Sequence, residues 1–313
     1  MEHANRVDRI DQASRVERFK KNHLDRLPLW FNIFGTAFVL MLTLLCILPF
    51  WLMVIGSFTD EAAIIRDGYR FWPSEFSVEA YKMVFKVPDV IIRAYMVTIC
   101  LVAVGTTISL LVTSMSAYVL HRKDFRYRNF FSFFFYLTSL IGGGLIPFYL
   151  LMLSLNMRDN YLALLLPPLL SVFNIIVMRT FFSALPHEIG ESGKIDGAND
   201  LAIYFRLYLP LAIPGLATIG LFTALVYWND WYNALLFINK DTMYPLQYQL
   251  YKVISHANFA KLVAQRTGQQ VQNVPTEALK LATACVTVGP IILLFPFVQR
   301  YFIKGLTIGA VKG

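Results

Sequence analysis

An all-α integral membrane fold with six transmembrane helices is what this sequence predicts, on three observations. The 313 residues are 57% hydrophobic and only 15% charged, with a mean hydropathy of +0.53. Soluble domains carry roughly 45–50% apolar and about 25% charged residues, so a soluble or a disordered chain is excluded. Six apolar runs approach the ~20 residues a helix needs to cross a hydrocarbon core ~30 Å thick. Within them polar and apolar residues do not alternate. From Phe38 to Met53 the only polar side chain is Thr43, which fits a lipid-embedded helix and not a barrel strand.

Residues 1–28 are charged throughout and read as a solvated leader. Their acids (Glu2, Asp8, Asp11, Glu17, Asp25) weaken the case for a basic surface helix, and no small-residue cleavage site marks a removable signal. The rest, 29–313, forms one transmembrane domain with spans at about 29–58, 91–120, 131–153, 160–182, 207–238 and 281–303. Arg93 opens the second span as a residue whose head snorkels to the interface. Gly142 to Gly144 in the third span predict close helix approach or a break. Pro49, Pro147, Pro167, Pro168, Pro210, Pro214, Pro290 and Pro296 predict kinks, which neighbouring helices or waters satisfy. The connection 239–280 is the longest external segment.

Orientation follows from the basic residues. Arg6, Arg9, Arg15, Arg18, Lys20, Lys21 and Arg26 precede the first span; Arg122, Lys123, Arg126 and Arg128 crowd the connection 121–130; Arg179, Lys194 and Arg206 surround 183–206; Arg300, Lys304 and Lys312 end the chain. The positive-inside rule puts both termini in the cytoplasm. The net charge of +8 thus reports topology, and nucleic acid is not an expected partner. Cys46, Cys100 and Cys285 lie in apolar runs without CxxC spacing, so neither a disulfide framework nor a zinc site is expected.

The segment 183–210, SALPHEIGESGKIDGANDLAIYFRLYLP, predicts a helical hairpin between spans 4 and 5. Pro186 suits a first helical turn, and Glu188 and Glu191 favour the positive end of the helix dipole. Glu188, Glu191 and Ile195 share a face that a protein partner can read. Asp196–Gly197 supplies a turn in which Gly accepts positive φ. Asn199 or Asp200 then caps a second helix with an apolar stripe of Leu201, Tyr204, Phe205 and Tyr208. Pro210 cannot donate to the Arg206 carbonyl, so a bend is expected there. On residues alone, an amphipathic hairpin lying on the inner leaflet is an equal reading.

This segment resembles the EAA loop of ABC importer permeases, whose pattern is E-A-A, three residues, G, nine residues, I, one residue, L-P. Glu191 takes the acidic position, Gly197 stands at the required spacing, and Leu207, Leu209 and Pro210 complete it. Ser192 and Gly193 replace the alanines, Gly193 at a helix cost of about 1 kcal/mol. IGGGLIPFYLL (141–151), SVFNIIVMRTFF (171–182), KIDGAND (194–200), WNDWYNALLFI (228–238), YPLQYQL (244–250) and the ending QRYFIKGLTIGAVKG extend the resemblance to carbohydrate-uptake permeases, specifically the inner permease of maltose and lipo-oligosaccharide type. That resemblance implies a bacterial cell-membrane importer for a carbohydrate, with a second, homologous permease subunit, two ATP-binding subunits that carry ATP and Mg, and an extracellular solute-binding protein. It implies that the hairpin couples to the ATPase through Glu188, Glu191, Ser192, Gly193, Asp196, Gly197 and Ala198, with a second contact from Lys304 to Gly313. The chain contains no GxxxxGK[ST] loop, so it is not expected to be an enzyme or to bind a cofactor itself.

In the fifth span, Asn229, Asp230, Trp231 and Tyr232 offer aromatic faces and hydrogen-bonding groups to a sugar, and line a candidate substrate path. An interfacial aromatic belt is the competing reading, and Asp230 could equally cap or pair. Gln247, Tyr248, Gln249 and Tyr251 are a candidate contact for the binding protein. Two other function classes fit the residues less well. A membrane enzyme using Glu188 and Glu191, or Asp196 and His187, lacks an accompanying nucleophile or metal-ligand pattern, and an ion-coupled carrier would need more charge deep in its spans than Asp230.

Overall fold

The computed structural model describes residues 29–86, 88–186, 188–267 and 277–292. The leader 1–28, His187, the tail Lys304 to Gly313 and residues 293–303 of the sixth span lie outside the described residues. In chain order the helices are α1 (Leu29–Ser57), α2 (Glu61–Asp67), α3 (Glu79–Val84), α4 (Pro88–His121), α5 (Arg128–Leu140), α6 (Leu145–Ser154), α7 (Leu162–Leu165), α8 (Val172–Ser183), α9 (Glu188–Ile195), α10 (Asp200–Ile203), α11 (Leu209–Leu211), α12 (Ile213–Trp228), α13 (Tyr232–Phe237) and α14 (Leu246–Thr267). A further helix, α15, covers 277–292. No strand occurs among the described residues, only an isolated bridge between Thr59 and Phe76.

Two described helices, α1 and α4, are long and apolar enough to cross a membrane, or up to four spans if each bent pair counts as one. The expected third span is not one helix. It breaks at 141–144 into α5 and α6 with a bend of 111°, because Gly144 adopts φ 81° and Gly142 and Gly143 add backbone freedom there. The expected fourth span is also divided: Pro167 and Pro168 interrupt it after α7, and α8 restarts where the Ser171 hydroxyl accepts from the Asn174 N–H at 3.4 Å. The fifth bends by 81° at Ala212, two residues after the expected position. Pro210 sits in the first turn of α11, where its missing N–H costs nothing, preceded by a π-helical turn over Tyr204–Tyr208. The connection 239–280, expected to be external, is not simply a loop, since it contains the 22-residue α14.

The core forms where α4 packs between α12 and α8. Small and hydroxyl residues permit the close approach: Thr98, Ser109, Thr113 and Ser114 of α4 and Thr218 and Thr223 of α12 are all buried, a pattern suited to a bundle whose helices meet in lipid. Asn174 of α8 donates to Thr223 Oγ1 at 3.3 Å, satisfying a buried amide. Gly105 of α4 lies against the Tyr227 ring, which occupies the space a Cβ would need. The Tyr227 hydroxyl donates to the Leu165 carbonyl at 2.7 Å, so the ring is held at both ends. Gly105→Val is expected to cost about 1–3 kcal/mol through overpacking, read as a lower melting temperature of the detergent-purified assembly; an unchanged melting curve would contradict this packing.

By contrast α1 is exposed along most of its length. Among the described residues, its last turns join the bundle, where the Ser57 hydroxyl bonds Tyr81 at 2.8 Å and Gly56 leaves room for Leu281.

Candidate functional site

Within 183–210, where a hairpin was expected, α9 and α10 are joined by a turn that is determined locally. Gly197 takes φ 76°; its N–H donates to the Lys194 carbonyl at 3.1 Å, and the Ala198 N–H reaches back to Gly193 at 2.9 Å. This pair is a Schellman motif, which satisfies carbonyls left open at the end of α9. Of the two candidate caps, Asn199 is used: its side-chain oxygen accepts from the Ala202 N–H at 2.8 Å.

The two arms touch at a glycine. Gly193 is buried, and a Cβ there would lie 3.0 Å from both Ile203 Cγ1 and Leu207 Cδ1. The residue that weakens α9 as a helix is therefore what lets the arms close. The expected stripe on the second arm is only partly correct. Tyr204 and Tyr208 are buried, but Leu201 is 58% and Phe205 46% exposed, and Ile203 is buried instead. Packing against α9 through Gly193 fixes the buried face one position away from the sequence pattern.

The root of the hairpin is a ring cluster. Tyr118 lies 5.2 Å from Tyr204, 5.1 Å from Tyr208 and 6.1 Å from Phe182, centroid to centroid, and the Ser114 and Tyr204 hydroxyls share a buried 2.6 Å hydrogen bond. His121 joins through Tyr208 at 5.9 Å and through a 3.2 Å contact with the Ser183 hydroxyl. Offset and edge-on rings gain about 0.5–1.5 kcal/mol per pair beyond burial, so the second arm is fixed to α4 and α8.

A second tie was not foreseen. Arg122, just beyond α4, pairs with both Asp124 and Asp200, and Lys194 of α9 reaches Asp124 Oδ2 at 2.8 Å. The Arg122 Nε also donates to Asp124 Oδ1 at 2.8 Å, making that pair bidentate. Hydrogen bonds from Arg122, then from Lys194, hold the Asp124 carboxyl well below the usual carboxylate range, and Asp124 in turn raises the Arg122 guanidinium. Because the folded carboxyl is the more acidic, its contribution is fully present above the unfolded value of about 3.9 and is lost as pH falls below it. The clasp is thus expected to be pH-independent from neutrality to about 4, checked by hydrogen exchange of 188–203 across that range. From sequence, Arg122 and Lys194 read only as orientation charges; nothing in the linear order shows that Lys194, 70 positions from Asp124, shares it with Arg122.

What the hairpin presents outward is its far edge. Glu188, Glu191, Ser192, Asp196 and Gly197 are exposed, Ala198 is half-buried, and Ile195 is 85% exposed. The arrangement is a braced projection with an acidic and apolar edge; among the described residues no group of three or more His, Cys, Asp or Glu is placed to hold a metal.

Asn229, Asp230, Trp231 and Tyr232 lie at the opposite end of α12, whose 16 residues span about 24 Å. Asn229 is exposed; its amide donates to the Leu225 carbonyl at 2.9 Å and its oxygen accepts from Gln247 Nε2 at 3.1 Å. Asp230, just before α13, accepts from the Asn233 N–H at 3.1 Å and from its amide at 2.8 Å. Trp231 stacks on Tyr251 at 4.6 Å, and Tyr251 on Tyr248 at 6.0 Å. α14 thereby brings Gln247, Tyr248 and Tyr251 beside the WNDWYN run, a grouping that sequence reasoning had divided between two roles.

Comparison with known proteins agrees with this architecture. The family described as "Binding-protein-dependent transport system inner membrane component" matches residues 105–308. The chain is 35% identical over 283 residues to the polygalacturonan/rhamnogalacturonan transport system permease protein YtcP of Bacillus subtilis, covering 90% of this chain and 98% of that one. It is 36% identical to Protein LplC of the same organism, covering 90% and 95%, and 27% identical to the arabinooligosaccharides transport system permease protein AraQ of Halalkalibacterium halodurans, covering 91% and 96%. The crystal structure of a bacterial ABC transporter involved in the import of the acidic polysaccharide alginate superposes with a TM-score of 0.75 at 30% identity, covering 87% of this chain and 96% of that chain.

Proposed function

Because this chain belongs to the family of inner-membrane components of binding-protein-dependent transport systems, we propose that it is the permease subunit of an ATP-driven importer of oligo- or polysaccharides. Relatives named for polygalacturonan, arabinooligosaccharides and alginate support the substrate class. In this reading six spans cross the membrane with both termini in the cytoplasm. The chain pairs with a second, homologous permease, two ATP-binding subunits that hold ATP and Mg, and an extracellular solute-binding protein.

The observation that carries the mechanism is the braced hairpin. Its exposed edge, with Glu188, Glu191, Ser192, Asp196 and Gly197, meets the ATP-binding subunit, while Gly193 and Ala198 hold the arms together behind it. When the ATP-binding subunits close, a hairpin fixed by rings and ion pairs moves as a unit and drags α4, α8 and α12 with it. Access to the central path then alternates, since the two states bind substrate and nucleotide differently. Purification of the assembled membrane complex is expected to bring an ATPase with this chain, and a crosslink that immobilises 183–210 to abolish stimulated hydrolysis. Uptake by this chain alone, with no nucleotide-consuming partner, would overturn the proposal.

At the far end, Asn229 presents hydrogen-bonding groups beside the Trp231–Tyr251–Tyr248 rings, a combination suited to sugar hydroxyls and ring faces. Asn229→Ala is expected to lower uptake severalfold and leave basal ATP hydrolysis intact; unchanged uptake and substrate range would remove Asn229 from the path.

A further inference from the structure

Arg93 has no ion-pair partner among the described residues and does not belong to the coupling machinery. It stands at the mouth of a trough of about 510 Å³ on the flank of α4, lined along that helix by Met96, Val97, Cys100, Leu101 and Val104 and closed on the other side by α7. These positions recur at helical spacing from 93 to 104, so they form one continuous stripe. At 1.5 Å per residue the stripe runs about 16 Å, the depth of one leaflet of a ~30 Å hydrocarbon core. Arg93 and Arg122, near the two ends of α4, are separated by about 43 Å along the helix, close to the ~40–45 Å between headgroup layers. Arg93 is thereby placed at headgroup level, with an apolar channel leading inward from it. Thr242 and Tyr161 add hydroxyls to the lining. A lone cation above an apolar slot one leaflet deep matches an anionic headgroup joined to an acyl chain.

We propose that this trough binds one anionic phospholipid in the leaflet opposite the hairpin, its phosphate on Arg93 and one acyl chain along Met96, Cys100 and Val104 against α7. The site requires only that α4 cross the membrane, so it stands apart from the ATPase-coupling reading. Its consequence is positional. A chain wedged between α4 and α7 braces the helix that carries the core.

The test uses the assembled transporter in vesicles of equal parts phosphatidylglycerol and phosphatidylcholine, with a photoactivatable acyl chain on one lipid or the other. Phosphatidylglycerol is expected to label the peptide containing Cys100 in preference to phosphatidylcholine. Arg93→Gln should remove that preference, about a fivefold loss for one cation at the surface, and leave phosphatidylcholine labelling unchanged. Val104→Trp, which fills the inner end, should lower labelling by both lipids. Equal labelling by the two headgroups, insensitive to Arg93→Gln, would reduce the trough to ordinary lipid contact and overturn the proposal. So would efficient crosslinking of Cys100 to the companion permease, which would make the trough a subunit interface.

Discussion

Replacing Gly193 with leucine is expected to abolish stimulated ATP hydrolysis and uptake while leaving the membrane-embedded bundle folded. A Cβ at this position already lies 3.0 Å from Ile203 and Leu207, tighter than ordinary van der Waals contact. The remaining atoms of leucine have nowhere to go unless the arms of the hairpin separate. Separation would pull Tyr204 and Tyr208 from the Tyr118 and Phe182 rings and turn the exposed edge away from its partner. Alanine makes the useful comparison. It removes the glycine's helix penalty of about 1 kcal/mol, and the neighbouring side chains need yield only a few tenths of an ångström. Gly193→Ala should therefore keep most activity. The measurement is binding-protein-stimulated ATP hydrolysis of the assembled transporter, expected to fall at least tenfold for leucine, with circular dichroism as the folding control. Full activity of Gly193→Leu would show that the closed hairpin is not the functional conformation.

The ionic clasp makes the second strong prediction. Arg122 holds Asp124 and Asp200 together while Lys194 approaches the same Asp124, so loss of Arg122 leaves Asp124 with Lys194 alone and cuts the tie between the loop and Asp200. Arg122→Ala is expected to uncouple the transporter: ATP is still hydrolysed, but uptake per ATP falls by roughly an order of magnitude. Hydrolysis persists because the ring cluster still holds the hairpin in place, whereas motion passed through the loop to α4 is weakened. Lysine restores the charge but cannot span both partners with a planar fork, so Arg122→Lys should be intermediate. Each exposed pair by itself contributes little, and a double-mutant cycle between Arg122 and Asp200 separates their coupling from the rest. An additive cycle with normal coupling would reduce the clasp to a surface feature.

Several parts of the site are legible in the sequence. The order Asp196–Gly197–Ala198–Asn199 contains its own turn, because positive φ, a Schellman bond and a side-chain cap all involve neighbours within six residues. The apolar length of α1 and α4 likewise needs no context, since bilayer thickness and helical rise dictate it. Other features depended on distant partners. The break at 141–144 could be suspected from three glycines, but not its angle. On the second arm the expected stripe holds for Tyr204 and Tyr208 but fails for Leu201 and Phe205, because periodicity says nothing about where α9 will press. α14 was hidden within a segment rich in Gln and Asn, whose polarity resembles that of a loop.

The sequence by itself determined that this is a helical membrane chain with a capped hairpin after its fourth apolar run, and its motifs carried the likeness to importer permeases. Those properties arise from short-range geometry and from the hydrocarbon solvent, which act on each segment separately. Only the tertiary structure decided that Arg122, Asp124, Lys194 and Asp200 form one clasp, that Tyr118 anchors the second arm, and that α14 sets its polar and aromatic residues beside Asn229. Such contacts join side chains far apart along the chain, and their energies depend on distances that linear order does not encode.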